Sequence, residues 1–448
     1  MIIKNALLLT WSPQNILIPS ASLRIRGGII SDIFSHPDNF QPEPGEEIID
    51  AHDQIVMPGI ICAHTHFYGA YARGLGIPGT PPKNFPEILQ KLWWKLDRAL
   101  SLQDVYYSAM VCLVDAIRHG TTTLIDHHAS QNAIDGSLDE IANAVDECGL
   151  RAVLCYEVTD RDGPEKAIAG IKENLRFYSR ISSDPFFAGK IGALFGLHAS
   201  LTLSDKTLER CQTEAANRLG YHIHVAEDIS DQGDSLAKSG LRVVERLNRF
   251  GILGPDTIVV HGVHLDTSEI QRLVESKTWV THQPRSNMNN AVGMANVVDM
   301  LQKGVRVCLG NDGFSNAMWD EWRITYLVHK LWNRDPQTMN GWDVIRMAVD
   351  NNALLANHIL GGEPLGIITP GARADLIFVD YHPFTPLEPG NIPWHILFGF
   401  RDSMVTTTIV GGKVLMRDRQ LVCLDEERII SLALERSKYV WQKFNDQF

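Results

Sequence analysis

The sequence predicts an α/β protein: a (β/α)8 barrel of the TIM type with a small composite β-sandwich side domain drawn from both termini. Three observations carry this reading. Eight short runs rich in β-branched residues recur between Ile60 and Asp312, each apolar almost throughout, as parallel strands buried on both faces require. Amphipathic helical patterns lie between them, and Gly120, Gly149, Gly220 and Gly251 stand where helices should end. β-rich stretches flank this region on both sides, and neither is large enough to make a stable sheet alone.

In chain order, residues 1–56 read as short alternating strands, with ASLRIRGGIISDIF turning at Gly27-Gly28. The eight runs follow as IICAHTH, TTTLIDH, RAVLCYEV, KIGALFGLHA, YHIHVAE, TIVVHGVH, TWVTHQP and VRVCLGND. Helical patterns such as DVYYSAMVCLVDAIRHG, SLDEIANAVDECG, DKTLERCQTEAANRLG and GLRVVERLNRFG separate them. A barrel is the economical closure of this alternation, and it occupies 57–363, ending on the helix WDVIRMAVDNNALLANHIL. ADLIFVD and MVTTTIVGGKVLMRDRQLV return to β over 364–424 and complete the side domain with 1–56, leaving 425–448 as a C-terminal helix.

Composition excludes several classes of function. With 44% hydrophobic and 21% charged residues in 448, the chain is neither disordered nor fibrous, and it is long enough to fold without disulfides. Lys and Arg number 41 against 53 Asp and Glu, a formal charge of −12 with no basic run, which excludes a nucleic-acid partner. The seven cysteines are scattered and form no CxxC, so they read as reduced core thiols of a cytoplasmic protein. The opening MIIKNALLLTWSPQN has too short an apolar run for a signal peptide. No run approaches the ~18 apolar residues of a membrane span.

In such a barrel, function sits at the C-terminal ends of the strands. Histidines gather there: His64 and His66 on the first run, His198 on the fourth, His224 with Glu227 on the fifth, His261 and His264 on the sixth, His282 on the seventh, and Asp312 ends the eighth. Two residues apart on a strand, His64 and His66 share one face and can present imidazole nitrogens to a single Zn²⁺ or Fe²⁺. A fifth-run histidine and Asp312 would fill the shell. His222 and His224 share a face, and either can be the third ligand. His224 is nearer the strand end and three residues before Glu227, as befits a ligand beside a proton carrier. His127 and His128 are consecutive, so at most one points inward, as pocket lining or as packing. His264 and His282 are candidates for the pocket wall or for satisfied core positions. Trp93, Trp94, Arg285, Ser286 and Asn287 are candidates for a flat polar substrate, with helix core as the alternative for the tryptophans.

The segments VMPGIICAHTHFYGAYARG, GLHASLTLS, HIHVAE, VVHGVHL, HQPRSNMNN, LGNDG and PLGIITPGARADLIFVD resemble the amidohydrolase superfamily over essentially the whole chain. They are most similar to the branch of chlorohydrolases and of guanine, cytosine and S-adenosylhomocysteine deaminases. LWWKLDRAL, IDHHAS, CYEVTDR and PRSNMNN add a likeness to the SsnA-type aminohydrolases. The resemblance implies metal ligands His64, His66, His224 and Asp312, Glu227 as proton shuttle, His261 as a catalytic histidine and His198 as a substrate contact. Relatives with two metals carry a bridging lysine on the fourth run; here that place reads Gly196-Leu197-His198, with Lys190 at the wrong end, so one divalent ion per chain is expected. The resemblance also implies a homo-oligomer.

Chemistry completes the expectation. A metal held by three imidazoles and a carboxylate lowers the pKa of water toward ~7, giving hydroxide at neutral pH. Asp312 serves as base, Glu227 carries the proton to the ring or leaving nitrogen, and His261 donates to developing charge or holds the hydroxide. The expected reaction is hydrolytic deamination of a purine-, pterin- or triazine-like heterocycle. Ring opening of a cyclic amide and hydrolytic dechlorination use the same apparatus, and a catalytically silent interaction protein is the reading from another class. Tyr68, Arg73, Glu87 and Trp93 align with no substrate-reading residue, which leaves the substrate open.

Overall fold

A computed structural model describes residues 1–36, 40–215 and 218–448. The chain opens with β1 (Ile2–Leu9), β2 (Leu17–Arg26), β3 (Ile29–Phe34), β4 (Ile48–Asp50) and β5 (Ile55–Pro58). The eight apolar runs form β6 (Ile60–Thr65), β7 (Thr121–Asp126), β8 (Arg151–Leu154), β9 (Ile191–Ala193), β10 (Phe195–Ala199), β11 (Tyr221–Val225), β12 (Ile258–His261), β13 (Trp279–His282) and β14 (Val307–Leu309). β15 (Leu376–Val379), β16 (Val405–Val410), β17 (Lys413–Arg417) and β18 (Gln420–Leu421) follow.

Strands from both ends of the sequence share one nine-stranded sheet, ordered β18-β17-β16-β15-β5-β1-β2-β3 with β4 also on β1. The seam between the termini is antiparallel, Leu376 opposite Pro58 through Val379 opposite Ile55. Alternation along β15 lets it serve two cores. Leu376 and Phe378 pack with Ile3, Leu8, Leu23 and Ile409, whereas Ile377 and Val379 face the large core that holds the helices.

The parallel strands form two sheets, β6-β7-β8-β9 and β10-β11-β12-β13-β14. The expected single strand KIGALFGLHA is two, broken at Leu194, whose N–H turns to Leu154 O at 3.1 Å. The expected strand RAVLCYEV likewise stops at Leu154; beyond it only Tyr156 and Val158 make isolated bridges, to His128 and Leu197. At the other edge, Asn311 and Asp312 N–H groups donate to His64 O at 2.9 and 3.2 Å.

Helix Leu102–His119 begins at a capping box of Ser101 and Asp104 and ends at Gly120 in the left-handed region, where a Cβ would lie 2.9 Å from Ile377. Gly149 ends helix Ser137–Cys148 in the same way. Gly220 does not cap a helix. Helix Asp205–Ala215 ends earlier, residues 216–217 lie outside those described, and a Cβ on Gly220 would fall 1.8 Å from Asp256 O, so close backbone approach selects glycine there. The helix expected over 342–360 is composite, with a π-helical segment Arg346–Asn351 between two α-helical ones. Helix Glu426–Asn445 lies on Leu102–His119, tied by Arg436 Nε to Asp104 (2.7 Å), and Trp441 Nε1 donates to Tyr71 O (2.8 Å) beside the cavity described below.

Five of the seven thiols are buried as expected; Cys112 is half-buried and Cys423 is exposed at the surface, and none is paired. No single described helix is long and apolar enough to cross a membrane.

Candidate active site

β6 carries His64, and His66 follows it directly, so both rings descend from one strand end. β11 brings His224, and the turn after β14 brings Asp312. Donor atoms of these four side chains all lie within 4.8 Å of one another. His64 Nε2 is 2.9 Å and His66 Nε2 3.2 Å from Asp312 Oδ1, and His66 Nε2 is 3.2 Å from His224 Nε2. Ligands ~2.1 Å from a tetrahedral centre would be about 3.4 Å apart, close to this spacing.

The outer partners of the rings fix which nitrogen faces inward. His66 Nδ1 donates to His127 O at 2.6 Å and His224 Nδ1 to His198 O at 2.9 Å, which leaves both Nε2 lone pairs aimed at the same space. His64 Nδ1 meets His222 Nε2 at 2.9 Å, so His222 stands behind His64 and outside the cluster. Facing lone pairs beside a carboxylate need a cation. Burial opposes charge on His66, yet the hydrogen bond and charge of Asp312 outweigh it and raise its pKa to about 9. The donor set therefore fits a divalent metal ion.

Three strand-end residues adopt left-handed backbone: Ala226 at φ 47°, His261 at 71° and Asp312 at 56°. Such conformations cost about 1–3 kcal/mol each outside glycine and persist only where neighbours impose them. The neighbours are hydrogen bonds from Ala226 N to Asp231 Oδ2 (2.8 Å), from Gly262 N to Val225 O (3.0 Å) and from Asp312 N to His64 O. The sharp turns carry His261, Asp312 and the neighbouring Glu227 to one cavity.

Glu227 Oε2 lies 3.3 Å from His261 Nε2, which is itself 3.9 Å from Asp312 Oδ2, and Asn290 Nδ2 donates to Glu227 Oε1 at 3.2 Å. Burial, followed by the charge of Asp312, pushes Glu227 well above the usual carboxylate range. Asp312 moves the other way: burial would raise it, but His261, His64 and His66 hold it well below. Burial also holds His261 down, against Asp312 and the Asn287 amide. Two neighbouring carboxylates are thus pushed in opposite directions, Glu227 toward its protonated form and Asp312 toward its ionised one.

These groups line a cavity of about 560 Å³, together with Trp93, Trp94, His198 and Ser286. Arg285 and Asn287 do not line it. The Arg285 guanidinium is drawn off by the buried Glu321 carboxylate and by Ser315 O (3.0 Å), because Glu321 left unpaired in the interior would be costly. Asn287 is buried behind His261. Tyr68 and Arg73 reach the cavity, whereas Glu87 pairs with Lys91 at 2.7 Å away from it. Lys190 pairs with Asp146.

The remaining histidines have local partners. His127 Nε2 lies 3.1 and 3.0 Å from the Leu197 and His222 carbonyls, and His128 Nε2 2.9 Å from Ser130 Oγ. His264 Nε2 meets Val292 O at 2.9 Å and His282 Nε2 meets His329 Nε2 at 3.1 Å. Among the cavity groups absent from the sequence reading are Asn290, which holds Glu227, and Glu157, a single acid inside the apolar run RAVLCYEV. That lone acid in a buried run was the signal for Glu157.

The pattern of the Amidohydrolase family matches residues 55–415. A 5'-deoxyadenosine deaminase of Methanosarcina mazei is 32% identical over 451 residues, covering 99% of each chain. A 5-methylthioadenosine/S-adenosylhomocysteine deaminase of Pelotomaculum thermopropionicum is 31% identical, covering 98% of each. Among solved structures, an adenosine deaminase from Xanthomonas campestris with bound zinc shares the fold at a TM-score of 0.83 and 21% identity, over 98% of both chains. With the family pattern spanning most of its length and relatives matching it nearly end to end, the chain belongs to the amidohydrolase family.

Proposed function

We propose that this protein is a metal-dependent aminohydrolase that releases ammonia from a purine-, pterin- or triazine-like heterocycle. The observation that carries the reading is the placement of Glu227, a buried carboxylate 3.3 Å from His261 Nε2, beside a cluster of four metal-ligating side chains. Relatives named as deaminases that match nearly the full length support it.

His64, His66, His224 and Asp312 would hold one divalent ion, Zn²⁺ or alternatively Fe²⁺. When bound there, the ion supplies Lewis acidity that brings the pKa of water toward ~7. Asp312 Oδ2 accepts the proton of the attacking water. Glu227 delivers its own proton to the ring nitrogen; Asp312 then passes the water's proton to the amino nitrogen as the C–N bond breaks and ammonia leaves, and the hydroxyl proton of the tetrahedral carbon returns to Glu227 as the carbonyl forms. His261 Nε2, 3.3 Å from Glu227 Oε2, orients the attacking oxygen and offsets negative charge as the ring carbon becomes tetrahedral. His198, Ser286 and Trp93 on the cavity wall hold the ring, and Trp94 lies over His198 with centroids 6.4 Å apart.

The same reading takes the parallel strands as a closed barrel over 57–363, supported by the bridge Val158–Leu197 at one edge and the hydrogen bonds to His64 O at the other. It takes 1–56 with 364–424 as the side domain and 425–448 as an appended helix. Exposed Leu327, Leu331, Trp332 and Phe398 support assembly of copies of the chain, and the unpaired thiols support a reducing cytoplasm. An ammonia-release screen over purines, pterins, pyrimidines and triazines, with elemental analysis, tests the proposal. Expected are one metal equivalent and ammonia. A new carboxylate without ammonia would turn the reading to ring opening, and two equivalents both required for turnover would overturn the single-ion site.

A further inference from the structure

Asp231 lies in the wall of the cavity, yet the chemistry above leaves it without a task. It is the third residue of helix Ile229–Ser239, whose N-cap is Asp228, and it is 2% exposed. An acid at this place ordinarily turns back to the N–H of its own cap. Asp231 reaches outward instead: Oδ2 accepts from Ala226 N and Oδ1 from Leu201 N, each at 2.8 Å. One carboxylate thus spans the loops that follow β11 and β10, with each oxygen engaged by a backbone N–H.

The two ends of this bridge are not equally firm. Leu201 belongs to the turn Ser200–Thr202, which has other anchors. The buried Arg246 donates to Ser200 O (2.9 Å), Ser200 Oγ (2.7 Å) and Leu203 O (2.8 Å). Lys238 Nζ donates to Leu201 O at 2.8 Å and Asp160 N to Thr202 O at 2.9 Å. Thr202 in turn carries His198, whose Nδ1 lies 2.6 Å from its Oγ1. Ala226 is held less. It sits at φ 47°, His264 N donates to its carbonyl at 3.0 Å, and among the described residues its own N–H has no acceptor but Asp231. An alanine in the left-handed region stays there only while its neighbours impose it. Without Asp231 the turn keeps its place, whereas the peptide that leads into Glu227 is released toward negative φ. Asn290 holds only the far end of that side chain, Nδ2 to Oε1 at 3.2 Å.

We propose that Asp231 is a positioning residue: it pins the backbone of Glu227 to the turn that carries His198, so that the proton carrier and the substrate-facing wall keep one register. The inference rests on the reading of Glu227 as proton carrier and adds to it the group that aims it. A misplacement of about 1 Å costs up to ~10²-fold in rate, so loss of the pin is felt in turnover. The metal is spared, because Asp231 hydrogen-bonds none of His64, His66, His224 and Asp312.

The test is a double-mutant cycle on kcat for ammonia release, with metal content and melting temperature recorded for each protein. Asp231→Asn keeps the shape of the side chain, but its amide group turns a second donor toward one of the two N–H groups. In the parent background kcat should fall about 10- to 100-fold, with KM changed less than about threefold and metal content unchanged. In the Glu227→Gln background the same substitution should cost less than about threefold, because a glutamine with no proton to carry gains nothing from being aimed. Asp231→Glu, which keeps the charge and both acceptors one methylene further out, takes the place of Asn if that variant does not fold, with the same contrast between backgrounds expected. A crystal structure of the variant reads the aim without turnover. Ala226 should leave the left-handed region and Glu227 Oε2 its place 3.3 Å from His261 Nε2, with the turn Ser200–Thr202 unmoved. Undiminished kcat, loss of metal, equal losses in the two backgrounds, or Glu227 unmoved in the variant would each overturn the inference and leave the aminohydrolase intact. Absence of ammonia from every compound would defeat the aminohydrolase reading itself, while the position of Glu227 in the crystal still decides whether Asp231 aims it.

Discussion

Glu227→Gln isolates the proton-carrying step. Glutamine keeps the Oε1 acceptor for Asn290 Nδ2 and fills the same space beside His261, so fold and metal content should be those of the parent. What it lacks is a transferable proton, on a group that burial and the charge of Asp312 push toward its protonated form. General acid–base contributions run ~10²- to 10⁴-fold, about 3–5 kcal/mol of barrier. kcat should fall on that scale with KM changed little, because the loss belongs to the transition state. The assay is ammonia release at saturating substrate, normalised to metal content by elemental analysis. A kcat within threefold of the parent at full metal occupancy would refute the shuttle role. A ~10- to 100-fold loss of metal affinity with proton transfer intact would show instead that Glu227 merely supports a ligand.

Asp312→Ala removes the carboxylate that both His64 Nε2 and His66 Nε2 face, so metal content should collapse together with turnover; retention of both by elemental analysis and assay would show that another residue fills this place. Asp402 tests linkage away from the cavity. Burial, aided by the charge of Asp320, raises it to about 6, and its Oδ1 has no hydrogen-bond partner. A carboxyl raised on folding contributes stability below its unfolded value that is lost as pH climbs through about 6. Asp402→Asn should therefore gain about 1–3 kcal/mol over the parent at pH 8 and nothing at pH 4. Denaturant melts across that range check it, and a gain independent of pH would rule out the titration.

Much of the site was legible because parallel strands buried on both faces leave polar residues little reason to appear except at their ends. His64, His66, His224, His261 and Asp312 stood out against apolar runs for that reason. What was not legible depended on distant partners. Arg285 reads as a free guanidinium until Glu321, a full helix later, takes it. His222 and His224 are equivalent by spacing and are separated only by the ring of His64. Gly220 looks like a helix cap until Asp256 is seen against it. The seam joining β5 to β15 likewise leaves no local trace, since alternation reveals that a strand has two faces but not which strand lies beside it.

The left-handed strand ends bear on how this protein could be improved. Strain at Ala226, His261 and Asp312 is stability surrendered to aim side chains, so a selection for heat tolerance alone would favour glycine and looser turns at these positions, at the expense of turnover. Thermostabilisation is better directed at the nine-stranded sheet, with a turnover screen run beside the heat challenge, because there the molecule can harden without releasing the tension that arms its reactive groups.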